Sequence, residues 1–113
     1  MDCLFCSIAE KKIPSTILYE DQDFIAFKDI NPEAPVHILL IPKKHISSLD
    51  EVQDEDLKTM SGIYSIIQKI AKEQGISEKG YRLVTNVGEE GGQTVNHLHF
   101  HILGGRSLQW PPG

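Results

Sequence analysis

Residues His97-Leu98-His99-Phe100-His101-Ile102-Leu103 alternate strictly between imidazole and apolar side chains. A period of two belongs to a β-strand, whose successive side chains point to opposite faces. Leu98, Phe100 and Ile102 are therefore expected on one face, turned into a core under a helix. His97, His99 and His101 are expected together on the other. A strand of this kind needs a covering layer, which constrains the rest of the chain. Three imidazoles on one face are poor packing material compared with valine or threonine. The open readings are a chance polar face, a three-histidine metal site, and catalysis by imidazole as nucleophile and as acid or base.

The remaining pattern supplies the covering layer. Leu57, Met60, Ile63, Ile67, Ile70 and Ala71 recur at helical spacing, predicting a long helix over residues 54–74. Asp54, Glu55 and Asp56 suit its positive end, and Gly75 suits its C-terminal cap. A short helix is expected over residues 5–12, closed before Pro14. Strands are expected over residues 16–20 and 24–29, joined as a hairpin by Asp21-Gln22-Asp23, and over 36–41, 81–87 and 98–103. The sum is an α+β domain spanning residues 1–113: a mostly antiparallel five-stranded sheet with one long and one short helix.

Charge and composition narrow the function. With a net charge of −5 and no basic stripe, the chain is not expected to be a general nucleic-acid binder. A small phosphate ligand remains open, because backbone amides bind phosphate without net charge. No apolar run approaches the roughly 20 residues that span a bilayer. The start, Met1-Asp2-Cys3-Leu4-Phe5-Cys6, does not read as a secretory signal, so a cytoplasmic location is expected. The two cysteines stand as Cys3-x-x-Cys6, a spacing for metal or redox chemistry rather than a disulfide framework.

The loop before the histidines favours the catalytic reading. Gly88-Glu89-Glu90-Gly91-Gly92-Gln93 is expected to be flexible and to let backbone amides approach an anion, with Gln93, Thr94 and Asn96 adding donors. An anion site beside several imidazoles suits phosphoryl or nucleotidyl transfer. Neutral imidazole is a good nucleophile near pH 7, and a second histidine can protonate a leaving amine.

These residues resemble the His-φ-His-φ-His-φ-φ signature (φ apolar) of the histidine triad superfamily. Asp29-Ile30-Asn31-Pro32-Glu33-Ala34-Pro35-Val36-His37, Ile41-Pro42-Lys43-Lys44-His45-Ile46 and Gly91-Gly92-Gln93-Thr94-Val95 fit as well. The ending Leu103-Gly104-Gly105-Arg106, then Trp110-Pro111-Pro112-Gly113, resembles the Hint branch, and the resemblance covers essentially the whole chain. It implies a homodimer with the sheet continued across the interface. It also implies binding of purine nucleotides, AMP or GMP, and hydrolysis of nucleoside 5′-phosphoramidates such as AMP-amine or lysyl-AMP. His99 would be the nucleophile, His101 would contact the phosphate and assist the leaving group, and His37 would orient them. Asp29 would bind the ribose, with Phe27 and Ile30 beside it. Leu4, Phe5 and Ile8 would line the base pocket. Asn86, Gly92 and Thr94 would hold the phosphate, and Trp110 would reach the partner's site. Alternatives are a dinucleoside polyphosphate hydrolase, against which the Trp-Pro-Pro-Gly ending weighs, and a nucleotide-binding regulatory or scaffold protein with incidental catalysis.

Some members of this superfamily complete a zinc site from such a cysteine pair, the histidine of the Pro-Lys-x-His segment and the first triad histidine. Here the set would be Cys3, Cys6, His45 and His97. Cys₂His₂ is a closed, structural ligand set. It would remove His97 from catalysis and leave His99 and His101.

Overall fold

The computed structural model describes residues 3–113. Met1 and Asp2, part of the N-terminus read as lacking a signal sequence, lie outside the described residues. Five strands form one antiparallel sheet: β1 (Ile17–Glu20), β2 (Phe24–Lys28), β3 (Val36–Pro42), β4 (Tyr81–Val84) and β5 (Phe100–Gly104). Their spatial order is β1-β2-β3-β5-β4, so the β4–β5 hairpin adds beside β3 and leaves β1 and β4 as edges. The α+β architecture and five antiparallel strands agree with the sequence reading.

The two faces of the sheet are covered differently. On one, Phe24, Ala26, Ile38, Leu40 and Ile102 pack against Ile63, Ile66, Ile67, Ile70 and Ala71 of α3 (Ile63–Glu73), with Phe100 partly buried against them. Both Phe100 and Ile102 therefore lie beneath the helix, as the alternation requires. On the other, Ile25, Phe27, Leu39 and Ile41 meet Phe5 and Ile8 of α1 (Leu4–Ala9). The first layer is nearly all isoleucine on the helix, each buried side chain contributing roughly 1.5–3 kcal/mol. On the other face α1 is too short to cover the sheet, and the histidines occupy the remainder.

Four elements depart from the sequence reading by more than one residue, each for a local reason. The helix expected over residues 54–74 starts as a 3₁₀ turn (Asp54–Asp56), continues through one turn, α2 (Leu57–Met60), and is interrupted before α3. At the break the Ser61 hydroxyl donates to Lys58 O at 2.7 Å, and Gly62 N–H reaches back only three residues to Thr59 O. A Ser-Gly pair with back-bonding is a known cause of a helix kink. The first helix ends at Ala9 rather than residue 12, because Lys11 adopts φ +63°. At the far end of α3, Gly75 takes φ +73° and caps it as expected.

Strand β4 stops at Val84 rather than 87: Thr85 turns its hydroxyl to His99 O at 2.8 Å. Strand β5 begins at Phe100 rather than 98, because Leu98 N–H leaves the ladder for Ile46 O at 2.6 Å. His97 and His99, in the irregular stretch before β5, both meet Phe5 of α1. Among the described residues no helix is long and apolar enough to cross a membrane.

Candidate active site and metal centre

The histidines gather on the α1 face of the sheet. Leu39, which packs under α1, is the register partner of His101, and His37 lies two residues before it on the same face of β3. Phe5 of α1 meets the His99 ring edge-on at 5.0 Å and the His97 ring at 6.1 Å between centroids. His97 is fully buried, His99 and His37 nearly so, and His101 half-buried. Each imidazole is fixed by a different backbone or side-chain group, and those groups decide where its proton sits.

His99 donates Nδ1–H to His97 O at 2.7 Å, since a carbonyl can only accept. In the neutral ring its Nε2 therefore carries the lone pair. The Thr85 hydroxyl, 2.8 Å from His99 O, pins the same residue from the other side. Sequence reasoning missed Thr85; its only signal was a hydroxyl residue at the end of an apolar strand.

His37 is held in the opposite sense. Glu33 N–H donates to His37 Nδ1 at 3.0 Å, so neutral His37 carries its proton on Nε2. That proton is donated to His101 Nδ1 at 2.9 Å, which leaves His101 with N–H at Nε2. Asp29 Oδ2 stands 3.4 Å from His37 Nε2, while Asp29 Oδ1 accepts from Asn31 N–H at 2.8 Å. Asp29, His37 and His101 lie close enough to suggest a ligand set, but His37 has no lone pair to offer there. They form a proton chain. Burial, then the neighbouring His99 and His37, pushes His101 down to about 4, against a smaller upward pull from Asp29.

His97 faces away from that chain. Its Nε2–H donates to Pro42 O at 2.8 Å, so its Nδ1 lone pair points to Cys3 Sγ at 3.4 Å and Cys6 Sγ at 3.5 Å. His45 Nδ1 approaches Cys6 Sγ at 3.3 Å. The four ligand atoms lie within 4.8 Å of one another and could hold a metal ion. Cys3 is also the N-cap of α1, its sulfur accepting from Cys6 N–H. Burial, and then the hydrogen bond and charge of Cys3, push the Cys6 thiol up to about 11 in the metal-free chain. Burial also lowers His97 from the ordinary histidine value, which keeps its ring neutral and able to ligate.

The other sequence-derived residues divide. Phe5, Ile8 and Phe27 are buried together, with Phe5 and Phe27 edge-to-face at 5.6 Å. Leu4, Ile30 and Trp110 are exposed, at 48%, 89% and 81%. Asn86 is half-buried, and Gly92 and Thr94 are exposed. Gln109, beside Trp110, accepts from Arg82 on edge strand β4. The glycine-rich loop is closed on itself: Gln93 N–H donates to Gly88 O and Gly92 N–H to Glu89 O, both at 3.0 Å. A Cβ on Gly91 would stand 2.3 Å from Val87 O, so that residue must be glycine.

Residues 2–109 match the family described as "Scavenger mRNA decapping enzyme C-term binding". A HIT-like protein of Synechococcus elongatus is 49% identical over 112 residues, 99% of this chain and 97% of that one. The chain belongs to the histidine triad (HIT-like) family. The structure of a HIT family hydrolase from Legionella pneumophila superposes with a TM-score of 0.95 at 51% identity, covering 99% of this chain and 100% of the other. A histidine triad protein from Clostridium difficile gives 0.92 at 51% identity, covering 96% and 95%. The triad of this family member is thus three imidazoles in three settings: His97 beside thiols, His99 with a free Nε2, His101 on His37.

Proposed function

We propose that the chain is a Hint-branch nucleotide-binding hydrolase that cleaves the P–N bond of purine nucleoside 5′-phosphoramidates. The observation that carries this reading is the orientation of His99, whose Nδ1–H is committed to His97 O so that Nε2 is free to attack. The name of the Legionella relative, a HIT family hydrolase, supports hydrolysis. The family description names an enzyme of mRNA decapping, which is consistent with a nucleotide substrate.

The reaction is a double displacement. His99 Nε2 attacks phosphorus, the P–N bond breaks, and a nucleotidyl-His99 intermediate forms. The phosphate's negative charge favours protonation of the His37–His101 pair, and His101 passes that proton to the departing amine through Nε2. Water then attacks phosphorus, His101 takes up its proton, and the P–His99 bond breaks to release the nucleotide. Asp29 binds the ribose hydroxyls. Leu4, Phe5, Ile8, Phe27 and Ile30 form the base site, and Asn86, Gly92 and Thr94 surround the phosphate.

Cys3, Cys6, His45 and His97 would hold zinc. A tetrahedral Cys₂His₂ site has a sulfur–nitrogen edge of about 3.5 Å from its bond lengths. The Sγ–Nδ1 separations of 3.3–3.5 Å fit that edge. Such a zinc is closed to substrate and ties the N-terminus to the sheet. Homodimerisation through β4 would continue the sheet, an arrangement supported by its free edge and exposed Leu83. Trp110 would then reach the partner's site. The proposed setting is cytoplasmic.

The test is steady-state hydrolysis of a fluorogenic AMP-amine by wild type and His99→Ala. The variant is expected to lose about 10³-fold or more in kcat, the scale of removing a covalent nucleophile. Wild-type kcat in His99→Ala would sink the mechanism.

A further inference from the structure

Strand β5 runs out into Gly105-Arg106, and the proposed mechanism gives Arg106 no role. Its guanidinium closes on one backbone oxygen: Nε–H and Nη2–H both donate to Glu33 O, at 3.0 and 2.9 Å, while Nη1–H donates to Ser107 O at 3.1 Å. Two planar N–H groups on one edge make this fork, which lysine lacks. Glu33 is the residue whose own N–H donates to His37 Nδ1 and so leaves the His37 proton on Nε2, facing His101. The loop that Arg106 grips is short of donors. Pro32 and Pro35 have no N–H, and the amides of Asn31 and Glu33 go to Asp29 Oδ1 and His37 Nδ1. Gly105 brings the arginine there. Val36 is the register partner of Gly104, and Gly105, at φ +90°, runs so close to the loop that a Cβ on it would stand 2.9 Å from Pro35 Cβ.

We infer that Arg106 is a positioning residue for the proposed reaction: its clamp on Glu33 O holds Glu33 N–H on His37 Nδ1 and so keeps the His37 proton directed at His101. The inference rests on the hydrolase reading above. With the clamp released, Glu33 N–H can leave Nδ1, His37 can carry its proton there instead, and His101 Nδ1 loses its donor. The relay works at the chemical step, so the loss falls on kcat more than on KM. Arg106 is exposed, so solvent screens the clamp and a moderate effect is expected.

The experiment is amide exchange and histidine ring-nitrogen shifts by NMR on the full chain at fixed pH, beside AMP-amine kinetics, for wild type, Arg106→Met and Arg106→Lys. Wild type is expected to show the His37 proton on Nε2. Arg106→Met should speed Glu33 N–H exchange about tenfold, mix the two His37 tautomers, leave α3 amides protected, and lower kcat about tenfold at nearly constant KM. Arg106→Lys keeps the charge and stem with a single nitrogen, and should fall between. If methionine unfolds the chain, the lysine variant decides by the same readouts. In a His37→Ala background, Arg106→Met should cost nothing further in kcat, because it acts through that ring. Equal Glu33 exchange in wild type and the arginine variants overturns the clamp. Wild-type kcat in a variant whose Glu33 N–H has lost protection, an additive loss in the His37→Ala background, or a rise in KM at constant kcat overturns the positioning role. A wild type that does not hydrolyse AMP-amine overturns the hydrolase reading instead, and Glu33 exchange with the His37 tautomer still decides the clamp.

Discussion

Two clusters on the same face of the sheet are built from similar side chains and have opposite chemistry. Cys3, Cys6, His45 and His97 converge as a ligand set, whereas Asp29, His37 and His101 form a proton chain. Both are packed to similar distances and contain buried histidine. What separates them is one backbone group behind each ring. Pro42 O takes the proton of His97 on the far side, so a lone pair faces the cluster. Glu33 N–H takes the lone pair of His37 on the far side, so a proton faces the cluster. Proximity of donors does not define a metal site; the tautomer imposed from outside the cluster does. His99 sits between the two, its Nδ1–H held by the carbonyl of a residue in the first cluster and its ring 5.0 Å from His101 of the second.

The sharpest way to break this contrast is metal analysis of paired variants. The wild-type chain is expected to purify with one equivalent of zinc, and Cys6→Ser to lose it, with affinity lowered about 10³-fold or more, since structural zinc binding is worth on the order of 10 kcal/mol. His37→Ala should retain the full equivalent. If His37→Ala also loses zinc, or Cys6→Ser keeps it, the two clusters are not chemically distinct.

The converse effect falls on turnover. Removing the donor to His101 Nδ1 in His37→Ala is expected to lower kcat about 10²-fold, the lower end of what a positioned acid or base contributes. The amide of His37→Gln can donate to the same atom and should recover part of that loss. Equal activity in the alanine and glutamine variants would show that the ring's bulk matters and its proton does not.

This contrast also marks how far the sequence could be read. Strict alternation places Phe100 and Ile102 on the α3 face and the histidines on the α1 face, as the structure has them. Ile63, Ile67 and Ile70 of α3 and the cap at Gly75 were legible for the same reason, periodicity and positive φ being local properties, whereas the buried Ile66 was not named. The proton positions were not legible. They depend on Pro42 O and Glu33 N–H, main-chain groups that every sequence possesses and only the fold can aim. Thr85 on His99 O and Gln93 on Ser47 O, Val95 O and Gly88 N–H are of the same kind. The interruption at Ser61-Gly62 was visible as a residue pair, but its consequence followed from where Ser61 sent its hydroxyl.

The smallest expected effect concerns pH and stability. His101 is pushed from the ordinary histidine value of 6.5 down to about 4, chiefly by burial. Between those values the unfolded chain binds a proton at this position and the folded chain does not, so acidification favours unfolding. The contribution is intact above 6.5 and is lost progressively as pH falls toward 4. His97 acts with the same sign in the metal-free chain, because its burial also lowers it. Partial exposure of the His101 ring screens the effect, so a fall of a few degrees in Tm on acidification is expected rather than unfolding. Chelator-treated wild type and His101→Gln, melted across this range, separate the two rings: the variant should retain only the part due to His97. A wild-type Tm that is flat from neutrality down to pH 5 would mean that His101 takes up its proton in the fold as readily as in the unfolded chain. The chain from Glu33 through His37 would then end in an imidazolium, and the division between a neutral relay and a ligand set would have to be redrawn.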